Sequence, residues 1–266
     1  MVEPLPDWAP DGVDVTTASA ARMYDYFLGG PHNFDVDRQV ARQVLALVPD
    51  IQEIVQANRA FLHRAVRYLL AQGIRQFIDL GSGIPSVGNV HDTVGQSAAG
   101  VRVLYVDHDP VAVAHTARIL RDNPDAQVLE ADLLRPEMIL DSADLIDFSQ
   151  PVGVLMVSVL HFIAEEDRPQ EAIRQFRERV AAGSYLAVSQ VTSDGDHPQA
   201  EAVTKLYESS ANPITRRTRT RIVELFDGWE LVEPGAVWVP EWHPDQPLDN
   251  QDPSSTSLIA AVGRKP

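Results

Sequence analysis

Phe77-Ile78-Asp79-Leu80-Gly81-Ser82-Gly83-Ile84-Pro85 reads as a short buried strand running straight into a two-glycine turn, with a proline placed to start a helix. Two glycines at a strand end let the backbone turn sharply and let a ligand approach without a Cβ in the way. In an open α/β sheet ligands bind beyond the carboxyl ends of the strands, so a site is expected at this turn. The dinucleotide fingerprint asks for a third glycine beneath a pyrophosphate, but this region holds Pro85 and Ser86. The turn therefore suits a ligand without phosphates.

Outward from this turn the chain alternates strand and helix signals. Apolar strands are expected at 101–106, 127–130, 152–159 and 185–191, with closing strands at 229–232 and 258–262. Asp109 and Pro110 form a helix start, with Val113, Ala117 and Leu120 on one face. A second helix carries Ile173, Phe176 and Val180 and ends at Gly183. Strands separated by helix-length segments predict right-handed crossovers and a mostly parallel, Rossmann-like seven-stranded sheet with helices on both faces. Before the sheet, residues 18–72 carry helical signals, the best being the stripe Phe61, Leu62, Ala65, Val66, Leu69, Leu70. Residues 1–17 are rich in Pro and Asp and read as a loose arm. The organisation expected is thus an arm, an N-terminal helical extension over 18–72 and one α/β domain over 73–266.

Composition narrows the function. With 38 Asp and Glu against 22 Lys and Arg, the formal charge of -16 disfavours a phosphate backbone or an anionic membrane as partner. The one dense basic run, Arg216, Arg217, Arg219 and Arg221, reads as a solvated helix start. The chain has no cysteine, which removes disulfides, thiolate metal sites and a Cys nucleophile together. The first basic residue is Arg22, unlike the start of a secretory leader, and the run 152–164 is too short to span a bilayer. A soluble cytoplasmic protein is expected.

Two further strand ends carry acids. Asp107 closes the second strand, where its carboxylate can accept from both hydroxyls of a ribose. As a mere helix cap it is less well placed than Asp109. Asp132 and Leu133 follow the third strand, where the acid can accept from an adenine amino group and the leucine can cover the ring, although a solvated loop acid explains Asp132 equally well. Nicotinamide enzymes also place an acid after the second strand, so Asp107 indicates a nucleoside and no more.

Taken in order, Gly81-x-Gly83, Asp107 and Asp132 resemble the nucleoside-binding motifs of class I S-adenosylmethionine methyltransferases. Val157-Ser158-Val159-Leu160-His161-Phe162 resembles the fourth-strand motif of those acting on small molecules. Ala21-Arg22-Met23-Tyr24-Asp25-Tyr26-Phe27-Leu28-Gly29-Gly30, with Asn33-Phe34 and Asp37-Arg38, is similar to the N-terminal signature of a bacterial methyltransferase family of largely unassigned substrate. Asn58-Arg59-Ala60-Phe61-Leu62, Gly88-Asn89-Val90-His91 and Phe226-Asp227-Gly228 extend the likeness over nearly the whole chain. The resemblance implies S-adenosylmethionine as cofactor, held by Asp79, Gly81, Ser82, Gly83, Asn89, Asp107, His108, Asp132, Leu133 and Ser158.

Methyl transfer from a sulfonium is an in-line displacement of an already activated group, so no metal or covalent intermediate is required. His161 and Glu165, and the cluster Asp194-Gly195-Asp196-His197, read as structural or solvated rather than as metal sites. Should the acceptor be a hydroxyl or an acid, a base would help, and His161 is the candidate by its place after the fourth strand. Arg22, Tyr24, Tyr26, His32 and Asn33 surround the turn Gly29-Gly30-Pro31, which could fold over the pocket as a lid and contact a small-molecule acceptor. Tyr24 and Phe27 would equally anchor a helix to the sheet, and His91 stays open between packing and contact. The rival from another class is a binding module that keeps S-adenosylmethionine or S-adenosylhomocysteine without chemistry. A dehydrogenase is disfavoured by the missing glycine, and a serine hydrolase by the lack of a Gly-x-Ser-x-Gly elbow.

Overall fold

The computed structural model describes residues 5–85, 90–94, 100–195, 198–248 and 252–266, the Asp92 side chain excepted. Three helices come first: α1 (Ala20–Phe27), α2 (Asp35–Leu47) and α3 (Ile51–Ala71). The alternating part follows as β1 (Gln76–Leu80), α4 (Val90–Val94), β2 (Arg102–Asp107), α5 (Pro110–Ile119), β3 (Ala126–Glu130), α6 (Pro136–Asp141), β4 (Gly153–Val157), α7 (Pro169–Arg179) and β5 (Tyr185–Val191). The chain closes with α8 (Ala200–Tyr207), α9 (Arg219–Glu224), β6 (Glu230–Leu231), β7 (Val237–Trp238) and β8 (Leu258–Arg264).

The strands form one sheet in the order β3-β2-β1-β4-β5-β8-β6, with β7 paired to β8. β3, β2, β1, β4 and β5 pair parallel, and β8 runs antiparallel to β5, β6 and β7. All seven expected strands are present, and β7 is an eighth. Strand order reverses between β1 and β4, so the switch point falls beside the glycine turn.

Alternate residues of each strand feed opposite faces. Ile78, Leu80, Leu104, Val154 and Met156 pack with Ile139, Ile173, Phe176 and Phe226 on one face. Phe77, Val103, Tyr105, Leu155 and Ala187 pack under the α3 stripe Phe61, Leu62, Ala65, Val66 and Leu69 on the other. Asp79 shares the face of Phe77, which places its carboxylate beneath α3. A third cluster joins α1, α2 and α8 through Met23, Phe27, Ala41, Val44 and Tyr207, with Val55 of α3. Trp8 stacks on Phe34 and Val13 is buried, so part of the first seventeen residues is packed against the body. Trp242, in the segment after β7, is fully buried against Phe61 and Tyr68, and Arg64 donates to the carbonyls of Val239 and Trp242.

Two segments around β4 also depart from the sequence reading. The apolar run 152–159 stops being strand at Val157, because Ser158 turns into the left-handed region with φ 56°. The arginine run is only partly a solvated helix start. Arg217 is 2% exposed and reaches Glu165 (2.5 Å) and the carbonyls of Leu160 (2.6 Å) and Ile163 (2.8 Å), thereby fixing the loop after β4. Among the described residues, no helix is long and apolar enough to cross a membrane.

Candidate functional site

The β1 turn and the end of β2 are built as one piece. Gly81 and Ser82 donate their N–H groups to the carbonyl of Val106, at 2.8 and 3.1 Å. Gly81 has φ 69°, and a Cβ there would lie 2.3 Å from Val159 Cγ2, so only glycine fits between the ends of β1 and β4. Gly83, at φ 66°, donates to Asp107 Oδ2 at 2.7 Å, and the N–H of Asp109 donates to Asp107 Oδ1 at 2.9 Å. Asp109 caps α5 by accepting from Val111 and Ala112, and the Ser19 hydroxyl donates to its other oxygen. Capping therefore falls to Asp109, which leaves Asp107 facing the strand-end space.

These groups line a cavity of about 100 Å³ together with Asp79, Ser82, Asn58, Arg59, His108, Asn212 and Ser158. Burial pushes the Asp79 carboxyl up to about 7, a rise that Arg59 opposes and Asp107 adds to. Burial also raises Asp107, against the pull of the two N–H groups it accepts. Such a cradle holds a cation and a pair of hydroxyls well: two carboxylates sit beside glycine backbone with no side chain in the way.

A second cavity, of about 140 Å³, lies next to the first, and Ala20, Tyr24, Asn58, Ser158 and Phe162 wall both. A chain of hydrogen bonds runs through that wall. The Ser158 N–H donates to Ser189 Oγ (3.0 Å), and Ser189 Oγ donates to Asn58 Oδ1 (2.6 Å). Asn58 Nδ2 donates to Tyr24 Oη (3.1 Å), which in turn donates to the carbonyl of Val55 (3.1 Å). The left-handed Ser158 is a non-glycine residue held at a conformational cost, a feature that gathers at working sites. Beyond the wall the cavity is mostly apolar, with Phe27 of α1, Val44 of α2, Val55 of α3 and Tyr207 of α8, and Arg216 is its charged lining residue. His161 lines it from a 3-10 turn at Leu160–Phe162, where burial and the Arg217 charge push its imidazole down to about 3.

The expected site residues divide by position. Asp79, Gly81, Ser82, Gly83, Asp107, His108 and Ser158 come together around the first cavity. Asp132 and Leu133 do not line it: Asp132 is exposed and accepts from the Leu134 N–H, and Leu133 packs in the core. Asn89 lies outside the described residues. The His91 N–H and Nδ1 lie 3.1 and 2.8 Å from Tyr105 Oη. Of the N-terminal candidates only Tyr24 reaches the cavities. Arg22 is buried in an ion pair with Asp37 (2.9 Å) and donates to the Thr17 carbonyl. Asn33 Nδ2 donates to Asp25 Oδ2 and to the Gly30 carbonyl, so the Gly29-Gly30-Pro31 turn wraps around Asp25. Tyr26 stands edge-on to Phe27, and His32 packs against His115 with ring centroids 3.7 Å apart and planes tilted by 41°. Asn58, Arg59, Ser19 and Asn212 were missed as site residues. The first two sit in the Asn58-Arg59-Ala60-Phe61-Leu62 motif, whose polar pair opens an otherwise apolar stripe.

A family model described as S-adenosyl methyltransferase matches residues 6–266. Among solved structures, a proposed methyltransferase from Thermobifida fusca is 36% identical and superposes with a TM-score of 0.91, over 98% of this chain and 99% of its own. A DUF574 family protein from Streptomyces avermitilis is 35% identical with a TM-score of 0.90, over 95% and 99% of the two chains. The pyocyanin biosynthetic protein PhzM, 17% identical with a TM-score of 0.53 over 92% of this chain and 62% of its own, shares the fold alone. No curated protein matches the chain.

Proposed function

The chain belongs to the S-adenosyl methyltransferase family, and from that premise we propose that its strand-end cavity holds S-adenosylmethionine while the apolar cavity beside it seats a small-molecule acceptor. The fold is the class I methyltransferase fold and the cofactor is S-adenosylmethionine. The observation that carries the placement is the Gly83–Asp107 contact, which sets a carboxylate at the β2 end beside a turn that only glycine can make.

Bound there, S-adenosylmethionine supplies a methyl group already activated on a sulfonium. Asp107 accepts from the ribose hydroxyls, and Gly81, Ser82 and Gly83 let the backbone come close. Asp79 in its ionised form faces the cationic end, while Ser158 and Asn58 border the acceptor side. Asp132, exposed at the next strand end outward from β2, would meet the adenine where it projects beyond the cavity, with Leu133 behind it in the core, and His108 lies beside the ribose. The helices over 18–72 roof both cavities, the segment 73–266 supplies the strand ends beneath the cofactor, and 1–17 is an arm onto that roof. These residues act by alignment and by excluding water. The acidic composition supports a small molecule over nucleic acid as acceptor.

The test is calorimetry of the purified protein with S-adenosylmethionine and S-adenosylhomocysteine, with NAD and NADP as controls. Micromolar binding of the sulfur nucleosides alone is expected. Binding of neither, or preference for a dinucleotide, would remove the site from the β1 and β2 ends.

A further inference from the structure

The two cavities differ in charge. Three carboxylates, Asp79, Asp107 and Asp109, line the cofactor side. None of the described residues lining the acceptor side is acidic, and the titratable ones are Tyr24, His161, Tyr207 and Arg216. Burial raises both tyrosines, so they stay protonated, and His161 is too depressed to hold a proton at neutral pH. Among the described lining residues Arg216 thus carries the one full charge. Its Nε donates to the Thr192 carbonyl at 3.3 Å, and Glu165, the carboxylate that faces the arginine run, pairs with Arg217 and Arg221 instead. This is a poor place for an amine, which arrives as a cation and meets an arginine with no acid to balance it. It is equally poor for an ordinary alcohol, whose proton would have no acceptor of adequate basicity.

Resting on the methyltransferase reading above, we propose that the acceptor is an apolar carboxylic acid, bound as its carboxylate with the charge toward Arg216, and that the product is its methyl ester. The volume of about 140 Å³ sets the size: an engineered cavity of roughly 150 Å³ takes one benzene ring. A single aromatic ring or a short alkyl chain therefore fits against Phe27, Val55 and Ile214. The chemistry balances without a base. A carboxylate oxygen forms the bond to the methyl carbon, the S–CH3 bond breaks with its electron pair left on sulfur, and no proton moves. Anion and cation become two neutral molecules. A displacement that cancels charge is slowed by water, which solvates the separated ions, and is favoured by an apolar wall that excludes it. His161 then acts as a neutral wall residue and not as a proton acceptor.

The experiment uses the full chain saturated with S-adenosylhomocysteine, titrated in the calorimeter with phenylacetate, octanoate, phenethylamine and 2-phenylethanol. Phenylacetate is expected to bind at least tenfold more tightly than phenethylamine. Incubation with S-adenosylmethionine is expected to give methyl phenylacetate or methyl octanoate by mass spectrometry. Arg216→Gln should weaken acid binding about tenfold with S-adenosylhomocysteine affinity unchanged, and Arg216→Lys should recover most of it. Equal or tighter amine binding, methylation of the amine or alcohol without ester, or no binding of either acid overturns the proposal. So does an Arg216→Gln variant that binds phenylacetate normally. Failure of S-adenosylhomocysteine itself to bind overturns the cofactor reading and takes this inference with it. Nucleoside binding without acid preference overturns this inference alone.

Discussion

Burial beneath α3 leaves the Asp79 carboxyl near pH 7 in the folded protein, whereas an unfolded carboxyl of this kind titrates at 3.8. Between these values the folded chain holds a proton that the unfolded chain does not. The stabilising contribution is therefore complete below pH 3.8 and is lost as pH rises toward 7. Asp79→Asn removes this slope, and thermal unfolding at pH 8 should show a variant more stable by about 1–3 kcal/mol. Cofactor affinity should move the opposite way. A sulfonium prefers the ionised carboxylate, so wild-type affinity falls as pH drops below about 7, and the Asn variant binds weakly with little pH dependence. A stabilised variant that keeps full affinity would show that Asp79 does not face the cation. Asp107→Ala should lower nucleoside affinity by about 1.5–3 kcal/mol, through loss of a charge-assisted pair. Tritrating S-adenosylhomocysteine into that variant checks it, since a wild-type constant would place the ribose elsewhere.

The N-terminal helices are tied down by buried polar groups as much as by apolar packing. Asp37 accepts from Arg22 Nε and from the N–H groups of Ser19 and Phe34, at 2.8–2.9 Å, so one carboxylate joins the start of α1 to the start of α2. Asp37→Ala leaves the buried Arg22 guanidinium only the longer contact to Asp109 (3.9 Å) and the Thr17 carbonyl, and should destabilise by about 3 kcal/mol, read by denaturant unfolding. The tilted His32–His115 ring contact links the glycine turn to α5, and burial lowers both rings, His115 to about 4. An unfolded histidine titrates at 6.5, so the contact's contribution is full above that pH and is lost as pH falls from 6.5 toward 4. His115→Phe should flatten this acid limb, and an unchanged limb would assign it to other groups. This network also explains why Arg22 and Asn33 read from sequence as pocket residues. Polar side chains beside a glycine turn carry no sign that Asp37 and Asp25 will fold back to satisfy them.

The frame of the molecule was legible because parallel strands are buried on both faces and stand out as apolar runs, and because Asp109-Pro110 is a cap with a local mechanism. β7 was not, since Val237 and Trp238 sit as a pair between Gly235 and Pro240, and neither was the break at Ser158, which interrupts an apolar run without a glycine. The site followed the same rule. Gly81, Gly83 and Asp107 lie on adjoining strand ends and read from local pattern, whereas Asn58 and Arg59 reach the cavity only through the docking of α3. That docking makes Asn58 part of a partition with a ligand expected on either side. Two guests against one partition are energetically linked: whatever factor the acid gains from a resident nucleoside, the nucleoside gains from the acid. A phenyl ring tethered to the sulfur of S-adenosylhomocysteine would meet both compartments in a single encounter, combining two modest affinities at the loss of one molecule's freedom.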